Sequence, residues 1–353
     1  MKLRLYSWLR KARKISSFLF LPIFVLGLAG CLPFSASSDS EPTPASVNHR
    51  VEGNNGLSEL WSRNDAYVLW GNKALDASMG TVCFLGDLGT ISQSNQIVCL
   101  DSESGDIKWK RETSLGGILM ASPKGVFVTY TSLPNTLSRY DLQSGDMIWQ
   151  EKWYESNPLH MLFFDNQVQL ITMKPGRKLW VFDTEGNVVR IIDDTEAFLT
   201  TPEVTYFSEN GIRALRTDTK EVLWYYQDPT LNLVPVFTED KIFCRNEGNS
   251  GTVYALDRIT GELLWQVHDI VYRSSIAHSP EKQLVYALRN NGDLLAINEN
   301  TGETSIAVRF TSTPFLFIGS GTGQDYELAY DEEKHILLVS LGDGHQVFAF
   351  REE

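Results

Sequence analysis

The chain has 353 residues, 42% of them hydrophobic, with 31 Lys and Arg against 44 Asp and Glu and a formal net charge of -13. Its first 30 residues hold six of the basic residues and no acidic ones, so the remainder carries 25 basic residues against 44 acidic ones. That acidity excludes a nucleic-acid binder and a protein held on anionic lipid by a basic patch.

Met1 to Lys14 form a basic stretch and Ile15 to Leu28 an apolar one interrupted by Pro22. A short apolar core between basic and small residues reads as a secretory signal over 1–30. The run is below the roughly 20 residues needed to span a bilayer. It ends in Leu28-Ala29-Gly30-Cys31, which resembles a bacterial lipobox. That resemblance implies cleavage before Cys31 and lipid on its thiol, as in palmitate-bearing lipoproteins. Residues 31–56, rich in Ser, Pro, Glu, Asn and Gly, then read as a flexible tether behind the lipidated Cys31.

From Leu57 onward the chain repeats itself. A strand, a tight turn and a Trp-bearing strand occur as Ile97–Trp109, with turn residues Asp101 and Gly105, and as Leu137–Trp149, with Asp141 and Gly145. Weaker copies surround Asp183 and Gly186, then Arg216, Lys220 and Trp224. The fullest copy is Gly251–Trp265, with Asp257 and Gly261; further copies surround Asn298 and Gly302, and Val347–Arg351. An Asp opening the turn can bond backbone two residues on, and Gly tolerates a left-handed conformation. The turn-opening positions 101, 141, 183, 216, 257, 298 and 351 recur about every 42 residues, the period of a four-stranded propeller blade.

An apolar run precedes each hairpin, such as Gly125–Tyr130 and Ile336–Ser340, and a short segment with Ser, Thr or Pro precedes most of those. Four strands per repeat make an antiparallel blade. The last copy stops after its third strand, whereas Gly56–Arg63, with Trp61, reads as a fourth strand without a hairpin. Joined, the two ends complete one blade and close the ring. The reading is therefore all-β: one propeller over 57–353, seven blades favoured and eight the alternative, closed by its N- and C-terminal strands.

The pattern Val-Tyr-Ala-Leu-Asp-x-x-Thr-Gly-x-x-x-Trp around Asp257 resembles the PQQ-type propeller repeat, found in quinoprotein dehydrogenases and in the BamB-like assembly lipoproteins. The resemblance implies that Trp61, Trp109, Trp149, Trp224 and Trp265 dock between neighbouring blades. Val189 or Arg190, and Ile306, stand where two further Trp are expected, so those two contacts should be less well packed. Known propellers of this family are usually eight-bladed.

Quinoprotein enzymes, as the resemblance implies, use a vicinal Cys-Cys disulfide, a calcium held by Glu, Asn and Asp, and a catalytic Asp. This chain has no adjacent cysteines, so no cofactor and no catalytic residue are assigned. Cys83 and Cys99 lie on successive strands and admit either a cross-strand disulfide or buried thiols. The six His are scattered, without the spacing of a metal site. The stretch 311–325, where the longest interval falls, reads as a loop with either an inserted strand or an exposed apolar patch at Phe315 to Ile318.

The expectation is a non-catalytic, monomeric propeller lipoprotein that binds another cell-envelope protein. It is held by the lipid on Cys31 to the outer face of the cytoplasmic membrane or to the outer membrane. The alternative is an extracytoplasmic small-molecule or glycan binder, or an enzyme, using the central channel.

Overall fold

The computed structural model describes residues 50–69, 73–89, 96–113, 117–130, 134–154, 156–173, 177–193, 196–208, 210–228, 235–246, 251–271, 274–311, 326–341 and 346–353. The signal segment, Cys31 and the 312–325 stretch lie outside the described residues. What is described forms seven antiparallel sheets in a ring.

Blade 1 has strands Leu75–Ser78, Thr81–Leu88, Gln96–Asp101 and Ile107–Glu112; Ala66–Val68 pairs with the far end of Thr81–Leu88 and extends the inner strand. Blade 2 has Gly117–Ser122, Gly125–Tyr130, Asn135–Tyr140 and Met147–Trp153. Blade 3 has Pro158–Phe164, Gln167–Thr172, Leu179–Phe182 and Val188–Ile192, and blade 4 has Ala197–Thr200, Val204–Ser208, Gly211–Arg216 and Val222–Gln227. Blade 5 has Val236–Phe237, Lys241–Asn246, Gly251–Asp257 and Leu263–Ile270. Blade 6 has Ala277–Ser279, Leu284–Leu288, Asp293–Asn298 and Thr304–Thr311. Blade 7 joins Glu327–Asp331, Ile336–Leu341 and Gln346–Glu352 to Leu57–Arg63, which pairs antiparallel with Gln346–Glu352. The ring is thus closed by its two ends, with seven blades and not eight.

Middle strands of a blade are covered on both faces by neighbouring blades. They therefore read as unbroken apolar runs and not as alternation: every residue of Gly125–Tyr130 and of Ile336–Leu341 is buried. The fourth strands lie outermost and are largely exposed.

One boundary is corrected. Residues 50–54 are not tether: Arg50–Asn54 pairs antiparallel with Thr304–Thr311 and gives blade 6 a fifth strand. The segment Arg-Val-Glu-Gly-Asn has no apolar alternation to betray it. An edge ladder is built from backbone groups, so a polar segment can supply one.

Candidate functional site

Each hairpin turn is built from its own side chains. In blade 5 the Asp257 carboxylate accepts hydrogen bonds from the Ile259 and Thr260 amides at 2.9 and 2.7 Å, and the Gly261 amide donates to the Asp257 carbonyl. The Thr260 amide is the main reason the Asp257 carboxyl sits below its usual range; the Ser144 amide does the same for Asp141. These carboxylates are turn caps, ionised at neutral pH.

Gly261 has φ +73°, a left-handed conformation, and the reason it is glycine lies in the preceding blade. A Cβ there would come within 2.4 Å of the Trp224 ring. The Trp224 indole N–H donates to the carbonyl of Arg258, the residue after the turn-opening Asp. The same arrangement recurs around the ring. Trp61 donates to Ser102, Trp109 to Leu142, Trp149 to Thr184 and Trp265 to Glu299, at 2.8 to 3.0 Å. Each ring lies over the turn glycine of the following blade: Gly105, Gly145, Gly186 and Gly302 respectively. Five of the seven seams between blades are built this way.

Two are not, and in both the glycine is missing along with the tryptophan. At the seam from blade 3 to blade 4, Arg190 pairs with Val181 at the position occupied elsewhere by Trp, and the facing turn carries Lys220 at φ 60°. Polar groups hold this seam: fully buried Gln169 donates to the Thr200 carbonyl at 2.6 Å and accepts from the Thr200 amide at 2.8 Å. Arg177 and Glu196 add an ion pair at 3.0 Å. At the seam from blade 6 to blade 7, Ile306 replaces Trp, and the facing strand ends at Glu352 without a hairpin. There the buried Glu352 carboxylate accepts from the hydroxyls of Ser279 at 2.8 Å and Tyr286 at 2.6 Å, both in blade 6, and from Tyr330. Burial, then Glu352 itself, raises the Tyr286 and Tyr330 hydroxyl pKa values far above normal, keeping both as donors.

The first strands of all seven blades line an axial cavity of about 1000 Å³. Its wall mixes aromatic residues (Phe163, Phe164, Phe237, Tyr330) with Lys73, Asp76, Glu327, His160 and His278. Most of these charges are already committed. Asp76 pairs with Lys73 at 3.0 Å and accepts the Ala121 amide of blade 2; Glu327 of blade 7 accepts the Ala74 and Leu75 amides of blade 1. His278 bonds Glu299 at 2.6 Å. His160 stands apart. Burial first, then the charges of Arg177 and Lys73, lower its pKa to about 4, so it is neutral at pH 7, and its buried Nδ1 has no partner among the described residues.

Cys83 and Cys99 are directly opposite on adjacent strands of blade 1, fully buried, and joined by a disulfide; Cys244 is a buried thiol. The disulfide pairs strands, not consecutive residues, and is absent from the cavity wall. Among the described residues no group of three or more His, Cys, Asp or Glu is placed to hold a metal. Sequence reading missed Gln169, Glu327, Asp331 and Glu352, since no local pattern distinguishes a seam-bridging polar residue from a solvated one.

Seven four-stranded blades, closed by strands from both ends and stitched by Trp and Gly, define a β-propeller of the PQQ-like type. The chain belongs to the family described as outer membrane protein assembly factor BamB, whose model matches residues 71–151 and 165–313. Among solved structures, BamB from Moraxella catarrhalis is 17% identical, with 84% of this chain and 97% of that one covered and a TM-score of 0.47. No curated protein sequence matches.

Proposed function

We propose that this chain is a non-catalytic, protein-binding propeller of the bacterial cell envelope, an interaction scaffold or assembly factor tethered by lipid at Cys31. The observation that carries the reading is membership of a family described as an outer membrane assembly factor. Two features support it. The carboxylates of the repeat cap turns or bridge blades, and the Leu-Ala-Gly-Cys31 motif supplies an anchor. Propellers present loops on a rigid ring, which suits recognition of a protein surface. Cross-linking in intact cells should recover the same envelope protein from repeated preparations, and Cys31→Ser should release the chain from membranes. Failure to recover any reproducible partner counts against the proposal.

A second reading rests on the axial cavity, whose aromatic and acidic wall also suits a small molecule or glycan. A thermal-shift screen against sugars, calcium and the quinone cofactor tests it. A rise in Tm that Phe237→Ala removes would support the cavity as a binding site, and no shift would remove the reading.

A further inference from the structure

Outer strands of a propeller are sheet edges, with alternate N–H and C=O groups turned outward and no partner. Natural sheets defend such edges with charge or cover them, and most blades here do so. Ile107–Glu112 carries Lys108, Lys110 and Arg111; Met147–Trp153 carries Glu151 and Lys152; Leu57–Arg63 carries Glu59 and Arg63. The edge of blade 6 is covered by the chain's own Arg50–Asn54.

Val188–Ile192 of blade 3 differs. It is the end strand of its sheet, with Val188, Val189 and Ile191 at 49%, 53% and 41% exposure. Four of its five residues are exposed, and Arg190 occupies the position from which Trp elsewhere docks into the next blade. The outer strand of blade 4, Val222–Gln227, carries no charge at all, and Val222, Leu223 and Tyr225 are exposed. One cation, Arg190, stands at the middle of the open edge. It donates to the Thr200 hydroxyl at 3.5 Å and has no carboxylate partner among the described residues.

We infer that Val188–Ile192 is a docking edge that accepts an extended segment of another protein as an added strand, with apolar residues flanking a carboxylate set opposite Arg190. This rests on the protein-binding reading and names its surface and partner chemistry. The charge decides the occupant. Antiparallel pairing with a second copy over the full five residues sets Arg190 opposite Arg190, and like charges directly opposed are destabilising, whereas an acidic residue there is favoured. Within this chain, the pairing of Arg50–Asn54 with blade 6 is the same mode of addition.

The test uses the purified full-length protein and two labelled peptides with Gly-Ser tails, Thr-Val-Ile-Glu-Val-Ile-Thr and its counterpart with Lys at the centre. Fluorescence anisotropy should show the Glu peptide binding about tenfold tighter than the Lys peptide. Arg190→Glu should invert that preference. Ile191→Lys should abolish strand addition, while Ile107→Lys on the outer strand of blade 1 should leave it unchanged, all three variants keeping the wild-type Tm. No saturable binding, equal affinities, or equal loss in Ile107→Lys overturns the inference. So does a concentration-dependent dimer in sedimentation that Ile191→Lys removes, since that assigns the edge to a second copy. A cellular partner that survives Ile191→Lys sinks this edge but leaves the protein-binding reading intact. Absence of any cellular partner counts against that reading, while the peptide preference still stands or falls alone.

Discussion

The seam from blade 4 to blade 5 and the seam from blade 3 to blade 4 perform one task with opposite chemistry. In the first, the Trp224 ring covers Gly261 and its N–H is satisfied by a turn carbonyl, so apolar burial and one hydrogen bond come from a single side chain. In the second, a largely exposed Arg190 reaches only the Thr200 hydroxyl at 3.5 Å among the described residues, Lys220 takes the place of glycine, and Gln169 with the Arg177–Glu196 pair bridges the two blades. The difference shows that Trp and turn Gly are one device. Without the ring overhead nothing requires glycine below it. The same holds where the chain ends: blade 7 has no closing hairpin, so Ile306 has no turn to cover, and Glu352 bridges the seam through hydroxyls instead.

Truncating the buried indole should hurt most. Trp265→Ala is expected to lower unfolding free energy by about 3–5 kcal/mol, the range for large aromatic deletions, read by urea denaturation. An unchanged midpoint would break the comparison on its apolar side. Next, Gln169→Leu leaves the Thr200 amide and carbonyl buried without partners, at about 1–3 kcal/mol for each orphaned group. If that variant were as stable as the parent, the polar seam would not be holding blades 3 and 4 together.

The turn position gives opposite signs at the two seams. Gly261→Ala must meet both the Trp224 ring and a left-handed backbone, and should cost more than about 1 kcal/mol. Lys220→Gly relieves a left-handed lysine with no Trp ring docked over it and should stabilise by up to about 1 kcal/mol. Arg190→Ala, at an exposed site, should stay within about 0.5 kcal/mol, in contrast to any of the five Trp.

Asp331 sharpens the comparison through pH. It accepts the Gly80 amide at 2.8 Å and the Ser102 hydroxyl at 2.9 Å across the seam from blade 7 to blade 1, and burial raises its pKa above the usual 3.8. A carboxyl whose folded pKa is raised binds its proton more tightly in the folded state. Its contribution is therefore full below the unfolded pKa and declines as pH rises through the folded one. Asp257, held below its usual range, acts in the other sense: its stabilisation is present above the unfolded pKa and lost as pH falls. Urea midpoints measured across pH 3 to 7 should rise more steeply with pH in Asp331→Asn than in the parent, and fall less in acid in Asp257→Asn.

The blade count, ring closure and the five Trp positions were legible in the sequence, because each blade repeats one supersecondary unit. Its turn residues and apolar runs are local, so a period of about 42 residues survives in one dimension. The choice between Val189 and Arg190 was settled only by strand register, with Arg190 opposite Val181. Arg50–Asn54 escaped because an edge strand adds through backbone groups and need not carry an apolar pattern. Gln169, Glu327, Asp331 and Glu352 escaped for a related reason: each acts on a residue far away in sequence, up to 253 positions for Glu327 and Ala74. Periodicity encodes what a segment does with its neighbours along the chain. Only the closed ring determines which polar groups meet between blades, which charges are left to face the cavity, and which outer edge stays open.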